Sequence, residues 1–66
     1  MIKLRVKEVL EREDKSIYWL AENTELTYTA LHRLVNGETE GIQFSTLDEI
    51  MGALEIDDFN EIFEKN

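Results

Sequence analysis

Apolar residues recur three and four positions apart in several short runs along this 66-residue chain. Such spacing places them on one face of a helix, so each run predicts a short amphipathic helix. Because the chain contains no cysteine, no disulfide can stabilise it, and the apolar faces must share one hydrophobic core. We therefore predict a compact, all-α fold in which residues 1–66 form a single domain.

Capping residues set the expected helix boundaries. Ser16 and Thr27 have the side chains of N-caps, and so does Asp57, while Ser45-Thr46-Leu47-Asp48 fits a capping box. Gly37 readily takes the left-handed conformation that ends a helix. The five predicted helices cover about residues 4–13, 16–23, 27–35, 45–54 and 57–64.

A short strand is compatible with two further segments. Ile42 and Phe44 alternate with polar residues, as do Ile2, Leu4 and Val6 near the start of the chain. Alternation of this kind is typical of a half-buried strand. The five-helix domain therefore has room for a short N-terminal strand that pairs with residues 41–44.

The formal net charge of -8 is unevenly distributed along the chain. Residues 1–36 carry six basic and six acidic side chains, whereas residues 37–66 carry nine acidic side chains and one base, Lys65. The whole excess of negative charge therefore lies after Val35. Since a neutral segment can approach a polyanion that an acidic segment repels, the two parts lead to different functional predictions.

The residue pattern argues against several functional classes. A serine, histidine and aspartate arrangement, a glycine-rich phosphate loop and a calcium-loop spacing are all missing, so we predict that the protein is not an enzyme. His32 is the only histidine, and we expect neither a metal site nor a cofactor. The sequence has no run of the ~20 apolar residues of a membrane span and no secretory signal, which predicts a cytoplasmic protein.

The central segment has the layout of a helix-turn-helix, in which one helix braces a second helix that fits the DNA major groove. Residues 16–37 resemble this motif in the Cro/lambda-repressor family, also called the XRE family. The matching positions are Leu20-Ala21, Leu26 in the turn, Thr27 as the cap, Leu31 and Leu34 inside, and Asn36-Gly37 after the second helix. Residues 44–47 and the apolar residues after them also resemble the family's fourth and fifth helices, so the resemblance covers essentially the whole chain.

The resemblance implies a lambda-repressor-like, sequence-specific transcriptional regulator whose partner is double-stranded DNA, usually bound by a homodimer. The residues that it implies for contact with base edges are Thr27, Tyr28, Thr29 and His32. Those that it implies for contact with the DNA backbone are Ser16, Ile17, Arg33, Asn36 and Gly37.

Some positions depart from the family's pattern. Glu25 stands where the turn commonly has glycine, so either this glutamate is left-handed, at a cost of about 1 kcal/mol, or the turn is built differently. Glu38 and Glu40 follow the second helix, where a DNA binder usually carries bases. Because Arg33 is the only base between residues 16 and 64, we expect weak DNA binding unless the protein dimerises.

Several aromatic and apolar residues are candidates for protein contact. Tyr18 and Trp19 lie beside a helix face that is already filled, so they either cover the edge of the core or form an interface. The last predicted helix buries Phe59, Ile62 and Phe63, and any part of that face left exposed is the natural dimer contact.

The acidic second part of the chain supports an alternative function. A helix-turn-helix fold that does not bind DNA can serve as an antirepressor, a dimerisation partner or an acidic mimic of nucleic acid. The position of Glu38 and Glu40 decides between the two hypotheses, because acids on the reading face repel DNA and acids on the opposite face do not.

Overall fold

The computed structural model describes residues 2–39 and 41–65. This part of the chain holds four α-helices, a single 3-10 turn and one two-stranded antiparallel sheet. The elements in chain order are β1 (Ile2–Leu4), α1 (Val6–Arg12), α2 (Ile17–Glu22), α3 (Tyr28–Val35), α4 (Phe44–Leu54), the 3-10 turn (Phe59–Glu61) and β2 (Phe63–Lys65). None of the helices described is long and apolar enough to cross a membrane.

One hydrophobic core joins all four helices. Its most deeply buried side chains are Leu20, Leu31, Ile50, Ile62 and Val6. The first three come from α2, α3 and α4, Val6 comes from α1, and Ile62 lies just before β2. All five stand at positions where the 3-4 spacing predicts an inward face. Full burial of each such side chain contributes roughly 1.5–3 kcal/mol relative to exposure, so this cluster holds the helices together in the absence of disulfides.

Side-chain caps begin the two central helices, and a glycine ends the second of them, as predicted. The Ser16 hydroxyl accepts a hydrogen bond from the backbone N–H of Trp19 at 3.0 Å. The Thr27 hydroxyl accepts one from Ala30 at 3.2 Å. Gly37 has a φ of 72°, and its N–H donates to the carbonyl of Leu34 at 3.2 Å. These local contacts fix the start of α2 and both ends of α3.

The sheet pairs different segments from those predicted. β1 pairs with β2, with Leu4 opposite Phe63 and Lys3 opposite Glu64, so the predicted pairing with residues 41–44 is wrong. Phe44 is instead the first residue of α4, because the sequence from there keeps the helical spacing. The opposite charges of Lys3 and Glu64 favour the observed register.

The predicted fifth helix is also wrong. Residues 59–61 form only one 3-10 turn, which Asp58 rather than Asp57 caps by accepting from the N–H of Asn60 at 2.9 Å. The chain then extends, and the carbonyl of Ile62 accepts from the N–H of Arg5 at 2.7 Å. Pairing with β1 thus takes the backbone groups that a helix would have used. As a result, Phe59 is exposed instead of buried.

The start of α4 differs from the predicted capping box. The helix begins at Phe44, with Gln43 as an N-cap that makes no side-chain hydrogen bond. The N–H of Leu47 is satisfied by the carbonyl of Gln43 at 3.0 Å, which makes a cap from Ser45 unnecessary. This start places the Phe44 side chain outside the core.

Candidate nucleic-acid interface

The helices α2 and α3 pack against each other around Leu20 and Leu31, which are both buried. Five residues separate Glu22, the last residue of α2, from Tyr28, the first residue of α3. Two short helices that share a core and are joined by a brief turn have the arrangement of a helix-turn-helix. In that arrangement α2 is the bracing helix and α3 is the reading helix.

The turn is built without a left-handed residue at Glu25. In the described residues, a positive φ outside glycine occurs at Asp14 and Glu55 only. The Thr24 hydroxyl donates to the carbonyl of Leu20 at 2.8 Å and accepts from the N–H of Leu26 at 3.3 Å. A side chain of α4, Glu49, accepts the N–H of Glu25 at 2.7 Å. The turn is therefore built differently from one with a left-handed residue at this position, and a hydrogen bond joins it to α4.

The two N-cap residues face solvent and keep hydrogen-bonding capacity. Ser16 and Thr27 are exposed, and each hydroxyl oxygen is occupied by a backbone N–H of its own helix. A hydroxyl also carries one hydrogen to donate. Both caps can therefore donate to a phosphate oxygen or a base acceptor without releasing the helix end.

The outer face of α3 brings the candidate base-reading residues together. Tyr28, Thr29 and His32 are exposed on this helix, and Thr27 precedes them. The side-chain amide of Asn36 donates to the carbonyl of His32 at 2.9 Å and lies 3.1 Å from the His32 Nδ1 atom. The ring of His32 therefore lies beside the C-terminal cap of α3. The other three candidate residues remain exposed to a ligand.

Tyr18 extends this face onto α2. Its ring, 65% exposed, stacks on the ring of Tyr28 with centroids 4.4 Å apart and an angle of 23° between the planes. Tyr28 in turn lies 5.8 Å from the ring of His32. We call Tyr18, Tyr28 and His32 the aromatic row. Sequence reasoning identified Tyr18 as an exposed aromatic residue but gave it no place on the DNA-facing side.

Ile17 and Trp19 have mainly structural surroundings. Both are partly buried and pack against the core, so Trp19 covers the edge of the core. The ammonium group of Lys15 lies 4.7 Å from the centroid of the Trp19 ring, a cation-π distance. Ile17 is the first residue of α2, and its partly buried side chain presents little surface to a partner.

Comparison with known proteins gives the same motif. A family model described as a Cro/C1-type HTH DNA-binding domain matches residues 5–66. The chain belongs to this family. No curated protein and no solved structure matches it significantly. Membership of the Cro/C1-type family identifies the protein as a DNA-binding regulator in general terms.

This Cro/C1-type domain has little positive charge near α3. Arg33 is exposed and makes no ion pair of 4.0 Å or less with any residue that the structure describes. By contrast, Arg12 pairs with Glu13 and Glu61 at 3.6 and 3.4 Å. Among the described residues, the Arg33 guanidinium is thus exposed and outside any ion pair of this length.

Glu38 lies just beyond the C-terminal end of α3. Glu38 is exposed, and its N–H donates to the carbonyl of Arg33 at 2.9 Å, which completes the helix end begun by Gly37. Glu40 lies outside the described residues, so its predicted role is not tested by the fold. An eight-residue α3 is about 12 Å long, so Glu38 follows the end of the helix that is opposite Tyr28.

The residues predicted as a protein interface are not equally accessible. Ile62 is completely buried in the core and has no surface to offer, while Phe63 is partly buried. Phe59 is 60% exposed, and its ring lies 6.4 Å from that of Phe63. Of the apolar residues predicted at this end of the Cro/C1-type domain, Phe59 provides most of the exposed surface.

Proposed function

We propose that the protein is a sequence-specific transcriptional regulator that reads the major groove of duplex DNA with α3. The observation that carries the proposal is the exposed face of α3, which holds polar and aromatic side chains at its N-terminal end. Recognition helices contact base edges mainly through their N-terminal residues. Thr27, Tyr28, Thr29 and His32 take the base contacts in this proposal.

Contacts with the DNA backbone come from residues on the two sides of that face. Arg33 neutralises a phosphate, and the hydroxyl of Ser16 donates to another, beside the backbone of Ile17. Asn36 and Gly37 approach the DNA from the end of α3. These contacts set the register on the duplex, and the residues at the start of α3 set the preferred sequence.

A titration of selected and random duplexes at low salt tests the proposal. We expect Thr29→Ala to weaken the selected duplex by roughly five-fold while random DNA changes little. Arg33→Ala should weaken both and reduce the slope of log K against log salt concentration by about 1 per chain. Arg12→Ala is the matched control, since this arginine is already paired with Glu13 and Glu61. Equal effects of the two arginine variants would contradict the role of Arg33.

The proposal includes two chains on a two-fold operator, one at each half-site. Half-sites about one helical turn apart require a pair of copies. Of the four residues predicted to form a protein interface, Phe59 alone is largely exposed, so this set offers little apolar surface for a homodimer in solution. Sedimentation at about 50 µM should therefore give monomer, and two chains should bind per two-fold duplex. A stable dimer without DNA would refute this part of the proposal.

The alternative function is an acidic interaction module that does not bind DNA. It is favoured by residues 37–66, whose nine acids and one base carry the whole net charge of -8. The same titration separates the two functions. Absence of binding to every duplex at low salt, with the folded state verified by circular dichroism, supports the module and rules out the regulator.

A further inference from the structure

An open groove lies along α4, away from the residues proposed to touch DNA. Its volume is about 790 Å³, and none of its lining residues belongs to α2 or α3. Phe44 and Phe59 line it, and so do Met51 and Gly52 from the last turn of α4. We call this feature the α4 groove. Neither the reading helix nor the aromatic row accounts for it.

The two phenylalanines of the α4 groove have little role in the core. Phe44 is 88% exposed and Phe59 is the next most exposed phenylalanine, so the monomer gains little from burying either side chain. Exposed aromatic rings beside an apolar groove are characteristic of protein-binding surfaces, where such rings act as anchors. Contact with Phe63 limits the positions that the Phe59 ring can take.

Gly52 lines the α4 groove without placing a side chain in it. It is a glycine inside a helix, where alanine would be more favourable by roughly 0.5–1 kcal/mol. A Cβ atom added to Gly52 would have no neighbour within 4 Å, so packing against the rest of the chain does not require glycine here. The missing side chain leaves space on the helix surface that lines the groove.

The charge on the α4 groove restricts what can bind there. Its ionisable lining residues are Asp48, Glu55 and Asp57, all acidic. DNA is excluded by repulsion. A second copy bound face to face would place these three acids against the same three acids, which is unfavourable in a two-fold contact. Apolar anchors between acids match a partner that has an apolar stripe flanked by lysine or arginine.

We propose that the α4 groove binds a basic amphipathic helix of a different protein. The apolar stripe of that helix lies against Phe44 and Phe59, and its basic flanks face Asp48, Glu55 and Asp57. This is the mode in which an amphipathic helix fits a groove through residues spaced three and four apart. The proposal does not depend on DNA binding, because the α4 groove and the reading face share no residue.

The test uses a labelled synthetic helix with leucine at i, i+3, i+4 and i+7 and lysine at the flanking positions. Fluorescence anisotropy compares it with a peptide in which every lysine is replaced by glutamate. Binding of the lysine peptide, with no binding of the glutamate peptide, is expected. Equal binding of both peptides, or no binding at about 100 µM, would overturn the proposal.

Groove variants separate specific docking from general attraction to an acidic protein. Phe44→Ala and Phe59→Ala are each expected to weaken the lysine peptide roughly ten-fold, as loss of an anchor does. Gly52→Gln should weaken it by filling the groove, while Gly52→Ala keeps the helix and adds little volume. Wild-type affinity in Phe44→Ala and Gly52→Gln would count decisively against docking in this groove.

A charge control completes the test. The triple variant Asp48→Asn, Glu55→Gln, Asp57→Asn should weaken the lysine peptide by roughly five-fold or more. The matched variant with Glu8, Glu11 and Glu22 changed to glutamine removes the same charge from exposed positions outside the groove and should change binding less than about two-fold. Equal losses in both triple variants would mean that net charge alone attracts the peptide. Phe44→Ala should leave duplex binding unchanged, so this proposal and DNA binding fail independently.

Discussion

Tyr18 of α2 and Tyr28 of α3 stack with their ring centroids 4.4 Å apart, across the junction of the bracing and reading helices. Both rings are accessible to a ligand, and Tyr28 is the first residue of α3. A stacked aromatic pair contributes about 0.5–1.5 kcal/mol beyond the area that it buries. Tyr18 therefore holds Tyr28 in place at the end of the helix where base contacts are proposed.

The first prediction concerns this stack. Tyr18→Ala should weaken binding to the selected duplex by roughly two- to ten-fold, because Tyr28 loses the ring that positions it. Tyr18→Phe keeps the ring and should retain near wild-type affinity. If Tyr18→Phe is as weak as Tyr18→Ala, the hydroxyl of Tyr18 rather than its ring is required. Urea unfolding of each variant verifies that the loss is not one of stability.

The second prediction concerns the turn of the helix-turn-helix. Glu49→Ala should reduce the free energy of unfolding by about 1 kcal/mol, because the N–H of Glu25 loses its acceptor. Glu49→Gln keeps a side-chain oxygen at the same reach and should lose less. Asp48→Ala, at the preceding residue of the same helix, is the comparison for loss of charge. Identical losses from Glu49→Ala and Asp48→Ala would refute a specific role for the contact with Glu25.

Local signals made the helix-turn-helix predictable. Ser16, Thr27 and Gly37 act through groups within three residues along the chain, and their effects can be identified without knowing the fold. The buried positions of α3 follow from spacing, which also identifies its outer face. The resemblance to the Cro/lambda-repressor family, and not the spacing, supplied the DNA-contact roles proposed for residues of that face.

Long-range pairing explains what sequence reasoning missed. β1 and β2 join opposite ends of the chain, and the first two residues of β2, Phe63 and Glu64, fall in the helix predicted over residues 57–64 from its apolar spacing. The contact between Glu25 and Glu49 links positions 24 residues apart, and no local pattern marks it. The stack of Tyr18 on Tyr28 requires the angle between two helices, which spacing within either helix does not supply.

The third prediction concerns a left-handed residue that is not glycine. Glu55 ends α4 with a φ of 57°, a conformation that costs most residues about 1 kcal/mol. Glu55→Gly should therefore raise the free energy of unfolding by up to about 1 kcal/mol. The gain is reduced because glycine also increases the conformational entropy of the unfolded chain. Glu55→Gln removes the same charge but keeps the strain. A stability gain in Glu55→Gln equal to that in Glu55→Gly would assign the effect to charge.

The fourth prediction concerns Gly52 in the last turn of α4. Gly52→Ala should raise the free energy of unfolding by roughly 0.5–1 kcal/mol, because alanine restricts the unfolded chain and favours the helix. The added methyl group meets no atom within 4 Å, so no packing strain offsets the gain. Chemical denaturation with urea measures the change, and Gly37→Ala is the contrasting variant, since Gly37 needs its φ of 72°. Gly37→Ala should lose stability where Gly52→Ala gains it. A loss in Gly52→Ala would mean that glycine is required by the fold itself, and the space that it leaves in the α4 groove would then have a structural explanation.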